Sequence, residues 1–246
     1  MKIKILVIAS LMLSTLLRCD LIEGRDKPPR ANRVQLLETG EFHGEEVSAK
    51  TGERWLGVHV SEQGSLLLPY RLTVKAVHDP IIGEDDSQKT GKAVSVDLPL
   101  EPVFLVRAPM LSEGPIKTTF NQPLNYEKGF ERFDPISLRL GETEYVLKGT
   151  GGENPVKCRD HSFPKNAKLV LVSGKVEQVL YSLDDCGNDP NWYLLWAGDL
   201  DRDGKLDLYA SVNQHYNVSE RRLFLSSQAK KGELVKEVAE FVTSGC

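Results

Sequence analysis

The chain has no excess of basic side chains. Its 246 residues carry 31 Lys and Arg against 35 Asp and Glu, a formal charge of -4. It therefore has no polycationic surface with which to neutralise phosphates or coat an anionic bilayer, and nucleic acid is not an expected partner. Cysteine is scarce, with four residues. The five His residues, at 43, 59, 78, 161 and 215, lie far apart with no zinc-like spacing. His-Glu-x-x-His, Gly-x-Ser-x-Gly, Gly-x-x-x-x-Gly-Lys and Cys-x-x-Cys are all missing, so no local catalytic signature exists. Convergent triads and paired carboxylates leave no such signature, which keeps a hydrolase open as an alternative. What is there is ordinary for a globular protein: 40% hydrophobic, 27% charged, 20 Gly and 13 Pro.

The N-terminus carries a location signal. Lys2 and Lys4 precede residues 5–17, which are all apolar or small. A spanning helix needs about twenty such residues, so this stretch reads as the n-region and h-region of a bacterial-type export signal. Leu16-Leu17-Arg18-Cys19 resembles the lipobox of bacterial lipoproteins, in which a Leu stands three places before a Cys that is acylated after cleavage. The resemblance implies lipidation of Cys19 and membrane attachment through it. Arg18 occupies a place that lipoboxes fill with Gly, Ala or Ser, so cleavage to a soluble secreted form remains the other outcome. Loss of residues 1–18 removes Lys2, Lys4 and Arg18 and no acid, leaving a charge of -7. Residues 19–33, with Pro28-Pro29 and almost nothing to bury, read as an extended tether.

Beyond residue 33 the dominant period is two. Leu72, Val74 and Ala76 alternate with Arg71, Thr73 and Lys75, and Ile136, Leu138 and Leu140 alternate with Ser137 and Arg139, as half-buried strands do. Further strands are expected at 55–60, 94–98, 103–107, 145–148, 168–173, 178–182, 191–197, 206–212 and 222–226. Turn residues at 141–144 and at Gly174-Lys175 mark hairpins. The expected class is all-β, an antiparallel sandwich-like body. Residues 233–242 have apolar side chains at helical spacing, predicting a short C-terminal helix, although a terminal strand fits the same residues. A cluster of Gly149, Gly151, Gly152 and Pro155 is a candidate seam between residues 34–150 and 151–246. One domain or two are both compatible with this length.

The chemical signal is Asp199-Leu200-Asp201-Arg202-Asp203-Gly204-Lys205-Leu206-Asp207. Carboxylates at positions 1, 3, 5 and 9, Gly at 6 for a sharp turn and a backbone carbonyl at 7, from Lys205, supply the oxygen ligands that Ca2+ requires. Leu200 and Arg202 point away while Asp199, Asp201 and Asp203 converge. An acidic solvated turn is the alternative. Position 12, where an EF-hand or a dockerin places an acidic ligand, is Ala210, and the flanking segments read as strands. The stretch from Gly198 to Leu208 resembles the calcium loop of FG-GAP or VCBS-type repeats, here in a single copy covering residues 192–226. The resemblance implies that Asp199, Asp201, Asp203 and Asp207, with the Lys205 carbonyl, hold an ion that stiffens a hairpin. Asp184, Asp185 and Asp189, just ahead of it, read as a solvated turn.

If Cys19 is lipidated or removed, Cys158, Cys186 and Cys246 remain, an odd count allowing one internal bridge. Cys158 with Cys186 is the expected pair, worth about 3–4 kcal/mol on the chain-entropy model; Cys246 can pair with either instead. These readings point to an exported, periplasmic, envelope-anchored or secreted protein with a structural calcium site. It would bind a protein or a glycan and have no catalytic role, the alternative being a secreted hydrolase with structural calcium.

Overall fold

The computed structural model describes residues 33–85, 87–121, 135–152, 155–157, 162–183 and 190–245. The export signal, Cys19, the tether up to residue 32, Asp184, Asp185, Asp189 and the other cysteines, Cys158, Cys186 and Cys246, lie outside the described residues.

The class is all-β, with antiparallel sheets that form a nearly closed, barrel-like sandwich. No described helix is long and apolar enough to cross a membrane. The first part of the chain supplies β1 (Gln35–Leu37), β2 (Gly40–His43), β3 (Arg54–Ser61), β4 (Gly64–Val77), β5 (Gly91–Val96), β6 (Leu105–Arg107) and β7 (Gly114–Asn121). The middle supplies β8 (Ile136–Leu140), β9 (Thr143–Thr150), β10 (Pro155–Lys157), β11 (Ser162–Pro164), β12 (Ala167–Ser173) and β13 (Val176–Leu183). The last part supplies β14 (Asn191–Asp199), β15 (Asp207–Asn213), β16 (Val218–Leu225) and β17 (Lys236–Ser244). The large sheet runs β1-β6-β3-β4-β7-β14-β15-β16-β17, with β5 on the second half of β4 and β2 on β5. It curls until β17 packs beside β1.

A second sheet, β13-β12-β9-β8, owes its two tight connections to glycine. Gly141 and Gly174 adopt φ of 60° and 57°, and each opens a two-residue turn, between Leu140↔Thr143 and Ser173↔Val176. Such turns twist in the sense of the strands they join.

Two hydrophobic cores result, and β14 to β16 contribute to both. Inside the curled sheet, Phe104 packs on Trp196 at 5.9 Å and on Tyr209 at 4.3 Å, among Trp55, Leu67 and Tyr70. On the other face, Leu138, Leu147, Leu169 and Leu171 of the small sheet meet Trp192, Leu194, Leu208 and Phe224. Every residue of β15 is buried.

The C-terminal helix expected over residues 233–242 is corrected by β17. This strand pairs with β16 from Val218↔Ser244 to Leu225↔Lys236, with an irregularity between Leu223 and Phe224. A helix there would leave β16 with a row of unpaired backbone groups. The strand instead buries Phe241 edge-on against Phe42, at 5.2 Å between ring centres. The β-branched Val238, Val242 and Thr243 suit it.

One ion pair ties the loop after β4 to β2. His43 Nδ1 meets the Asp79 carboxylate, Asp79 Oδ1 accepts the Ile81 N–H at 3.0 Å, and Glu46 Oε2 accepts the His43 N–H at 3.0 Å. The bond to Asp79 raises the His43 imidazole above its ordinary 6.5 and holds the Asp79 carboxyl below its ordinary 3.8. The His43 contribution is complete below its unfolded value and lost as pH rises through the folded one. That of Asp79 is complete above its unfolded value and lost as pH falls through the folded one. The pair therefore stabilises most between about pH 4 and 6.5. His43→Gln should flatten the decline of the thermal midpoint on the alkaline side of that window; parallel pH profiles for variant and wild type would contradict the pairing.

Candidate metal centre

The acidic loop joins β14 to β15, two of the three strands shared by both cores. Asp199 ends one and Asp207 begins the other, so both carboxyl groups are drawn inside: Asp199 is 4% exposed and Asp207 0%. Their neighbours anchor the loop in opposite directions, Leu200 in the core of the curled sheet and Leu206 in the core beneath the small one. Gly204 takes φ of 82° with nothing near the place of a Cβ, so its glycine answers to the left-handed turn and not to space.

One carboxylate oxygen each from Asp199, Asp201 and Asp207 lie within 4.8 Å of one another. Asp207 is tightly held, its Oδ2 accepting the Leu200 N–H at 2.7 Å and its Oδ1 the Ser226 N–H at 2.8 Å and hydroxyl at 2.9 Å. Asp201 accepts the Asp203 N–H at 3.4 Å and the Ser227 hydroxyl. Asp199 Oδ2 accepts the Gly204 N–H at 3.1 Å, while its Oδ1 is buried and receives no hydrogen bond. Asp203 is outside this trio: it accepts the Lys205 N–H at 2.8 Å and the Ser226 hydroxyl at 3.1 Å on each oxygen. Lys205 takes part through that N–H.

The electrostatics are unfavourable without a counter-charge. Burial, reinforced by the Asp201 charge, pushes the Asp207 carboxyl up to about 7 against the N–H groups of Ser226 and Leu200. Burial also raises Asp199, with the Asp203 and Asp201 charges adding to it and the Gly204 N–H opposing. Ionised carboxylates at this separation repel by roughly 3–4 kcal/mol per pair at an effective dielectric of about 20. A divalent cation reverses that sign, and an all-oxygen donor set suits a hard one.

Two distant segments complete the site. The 3-10 turn Ser226–Gln228 after β16 brings its serines onto Asp201, Asp203 and Asp207. Arg202, at φ 65°, reaches out of the loop to the β6–β7 connection. Its two terminal nitrogens donate there to the Ser112 hydroxyl at 2.9 Å and carbonyl at 2.7 Å, and its Nε donates to the carbonyl of Pro115, in β7, at 3.0 Å. Ser112, Ser226 and Ser227 had no signal in the sequence, Ser226 and Ser227 being separated from the loop by the strands β15 and β16 and Ser112 standing 90 residues from Arg202. Among the described residues no other group of three His, Cys, Asp or Glu side chains converges in this way.

No protein-family model, no curated protein and no solved structure matches the chain.

The entry to the loop is fixed by a close approach. A Cβ on Gly198 would lie 2.1 Å from the Lys117 carbonyl oxygen of β7 and 2.6 Å from the Trp196 ring. Gly198→Ala should therefore lower stability by about 1–3 kcal/mol, as overpacking does, seen as a lower midpoint in chemical denaturation; an unchanged midpoint would refute the contact.

Proposed function

We propose that this is an exported, non-catalytic β protein in which one Ca2+ ion organises the β14–β15 hairpin, and that it serves to bind a protein or a glycan. The observation that carries the calcium reading is Asp199 Oδ1, a buried carboxylate oxygen without a protein partner, beside the carboxylates of Asp201 and Asp207. A cation supplies the missing partner and removes the mutual repulsion. Asp203 and the Lys205 carbonyl, in register within the loop, complete the proposed ligand set. The N-terminal signal and the acidic mature chain support export, with Cys19 as the proposed point of attachment if it is acylated.

The position of the loop supports a structural role for the ion. It bridges the ends of two strands that both cores share, and it gathers the 3-10 turn and, through Arg202, the β6–β7 connection. Binding energy there is folding energy, since the unfolded chain holds no such cage.

Thermal unfolding in EDTA, in calcium and in magnesium tests the reading. With calcium at ten times its Kd the folded state gains about 1.4 kcal/mol, equivalent to about 3–5 °C in Tm for a chain of this size. Magnesium should give less, because it demands a tighter octahedral cage. Asp201→Asn should abolish the calcium response while leaving the EDTA midpoint equal or higher, one repelling charge having been removed. Equal midpoints in EDTA and calcium would overturn the assignment.

A further inference from the structure

At the end of β15 opposite the acidic loop, the curled sheet opens into a cleft of about 320 Å3. This lies at the lower end of the range for small-ligand sites, which favour the mouths of barrels. Three segments meet there: β2, the β15–β16 turn with the start of β16, and the end of β17. Asn213 lines it and is nine-tenths buried; its Oδ1 accepts the Ser211 hydroxyl at 2.7 Å and the Glu220 N–H at 2.8 Å, and its Nδ2 donates to Asn191 at 2.7 Å. Ser219 and Thr243, paired across β16 and β17, add hydroxyls. Glu46 is fixed by the Ser244 N–H at 2.6 Å and hydroxyl at 2.9 Å on one oxygen and by the His43 N–H on the other.

The turn is equally ordered. The N–H of Val218 reaches the His215 carbonyl at 3.1 Å, that of Asn217 reaches His215 Nδ1 at 3.3 Å, and that of Gly245 reaches the Asn217 carbonyl at 2.7 Å. It presents Tyr216, 54% exposed, with its ring stacked on His215 at 4.5 Å. The lining thus combines an aromatic plate, hydroxyls and amides on prearranged backbone, and the carboxylates of Glu41 and Glu46, with no Lys or Arg.

We infer that this cleft binds a neutral saccharide. An aromatic plate receives the C–H face of a sugar ring. Hydroxyls that both donate and accept match the mixed donors and acceptors of the lining, and a cleft ordered in advance loses little entropy on binding. The two carboxylates, with no Lys or Arg in the lining, disfavour anionic ligands such as uronic acids or sugar phosphates. A cationic ligand would use the two carboxylates alone and leave the hydroxyl and amide donors of the lining unmatched. The inference goes beyond the calcium reading, since the cleft and the loop lie at opposite ends of β15.

Amide NMR titration of the protein with glucose, galactose, mannose and N-acetylglucosamine tests it, with glucuronate as the anionic counterpart and each series run in EDTA and in calcium. The expected result is millimolar binding of at least one neutral sugar, with shifts confined to residues 41–46, 213–219 and 243–245 and none with glucuronate. Tyr216→Ala should weaken that binding about threefold to tenfold, the usual worth of an aromatic contact, and Thr243→Val should weaken it independently. No shift with any neutral sugar, an equal response to glucuronate, or full affinity in a folded Tyr216→Ala variant would overturn the inference. Failure of the calcium reading would instead appear as identical amide spectra in EDTA and calcium.

Discussion

β15 has water on neither side. Leu208, Ala210 and Val212 point into one core while Tyr209 points into the other, so the strand is the common wall of two hydrophobic compartments. A strand in that position has no solvent to satisfy its polar side chains, and each must find a partner in the protein. They do so in a chain. The Tyr209 hydroxyl donates to Glu38 at 2.5 Å, Arg221 joins Glu38 at 3.1 Å to Ser211 at 2.6 Å, and Ser211 donates to Asn213. Burial and the Glu38 charge hold the Tyr209 phenol well above its usual range. A slip of one residue would put Tyr209 and Ser211 among the leucines of the opposite core and break every one of these bonds.

The acidic loop follows from the same constraint. Because β14 and β15 are enclosed, the residues at their joined ends are carried inward, and two carboxylates sit where water does not reach. Two backbone N–H groups and the Ser226 hydroxyl satisfy both oxygens of Asp207, yet one oxygen of Asp199 is left unsatisfied. The arrangement stabilises positive charge at one point more than any nearby side chain supplies it.

Much of the fold was legible, and the places where it was not have physical reasons. Strands with one wet face, such as β8 and the stretch of β4 around Leu72, alternate visibly, and Gly141 and Gly174 announce their turns. The loop was legible because its carboxylates fall at regular places within one short stretch, residues 199–207. β7 escaped notice because Gly-Pro-Ile-Lys-Thr-Thr-Phe-Asn carries little apolar alternation; its role is to join β4 to β14 through the backbone. The C-terminal segment has spacing that fits helix and strand alike, and only the open edge of β16 decides between them. Ser226, Ser112 and the walls of the cleft at Asn213 and Thr243 are assembled from remote segments, and local pattern carries no trace of such convergence.

The seam between β7 and β14 has a consequence for the order of events in folding. The first core takes Phe104 and Leu67 from early in the chain and Trp196, Tyr209, Leu223 and Phe241 from near its end, and Tyr209 reaches back 171 residues to Glu38. A chain emerging N-terminus first displays β1 to β7 with about a quarter of the buried residues of that core still to come and with the β7 edge unpaired. Pairings of such long range form slowly and expose apolar surface meanwhile. The strands that carry the acidic hairpin are thus also the ones that close the protein, and until they arrive the earlier ones depend on being kept apart from other chains.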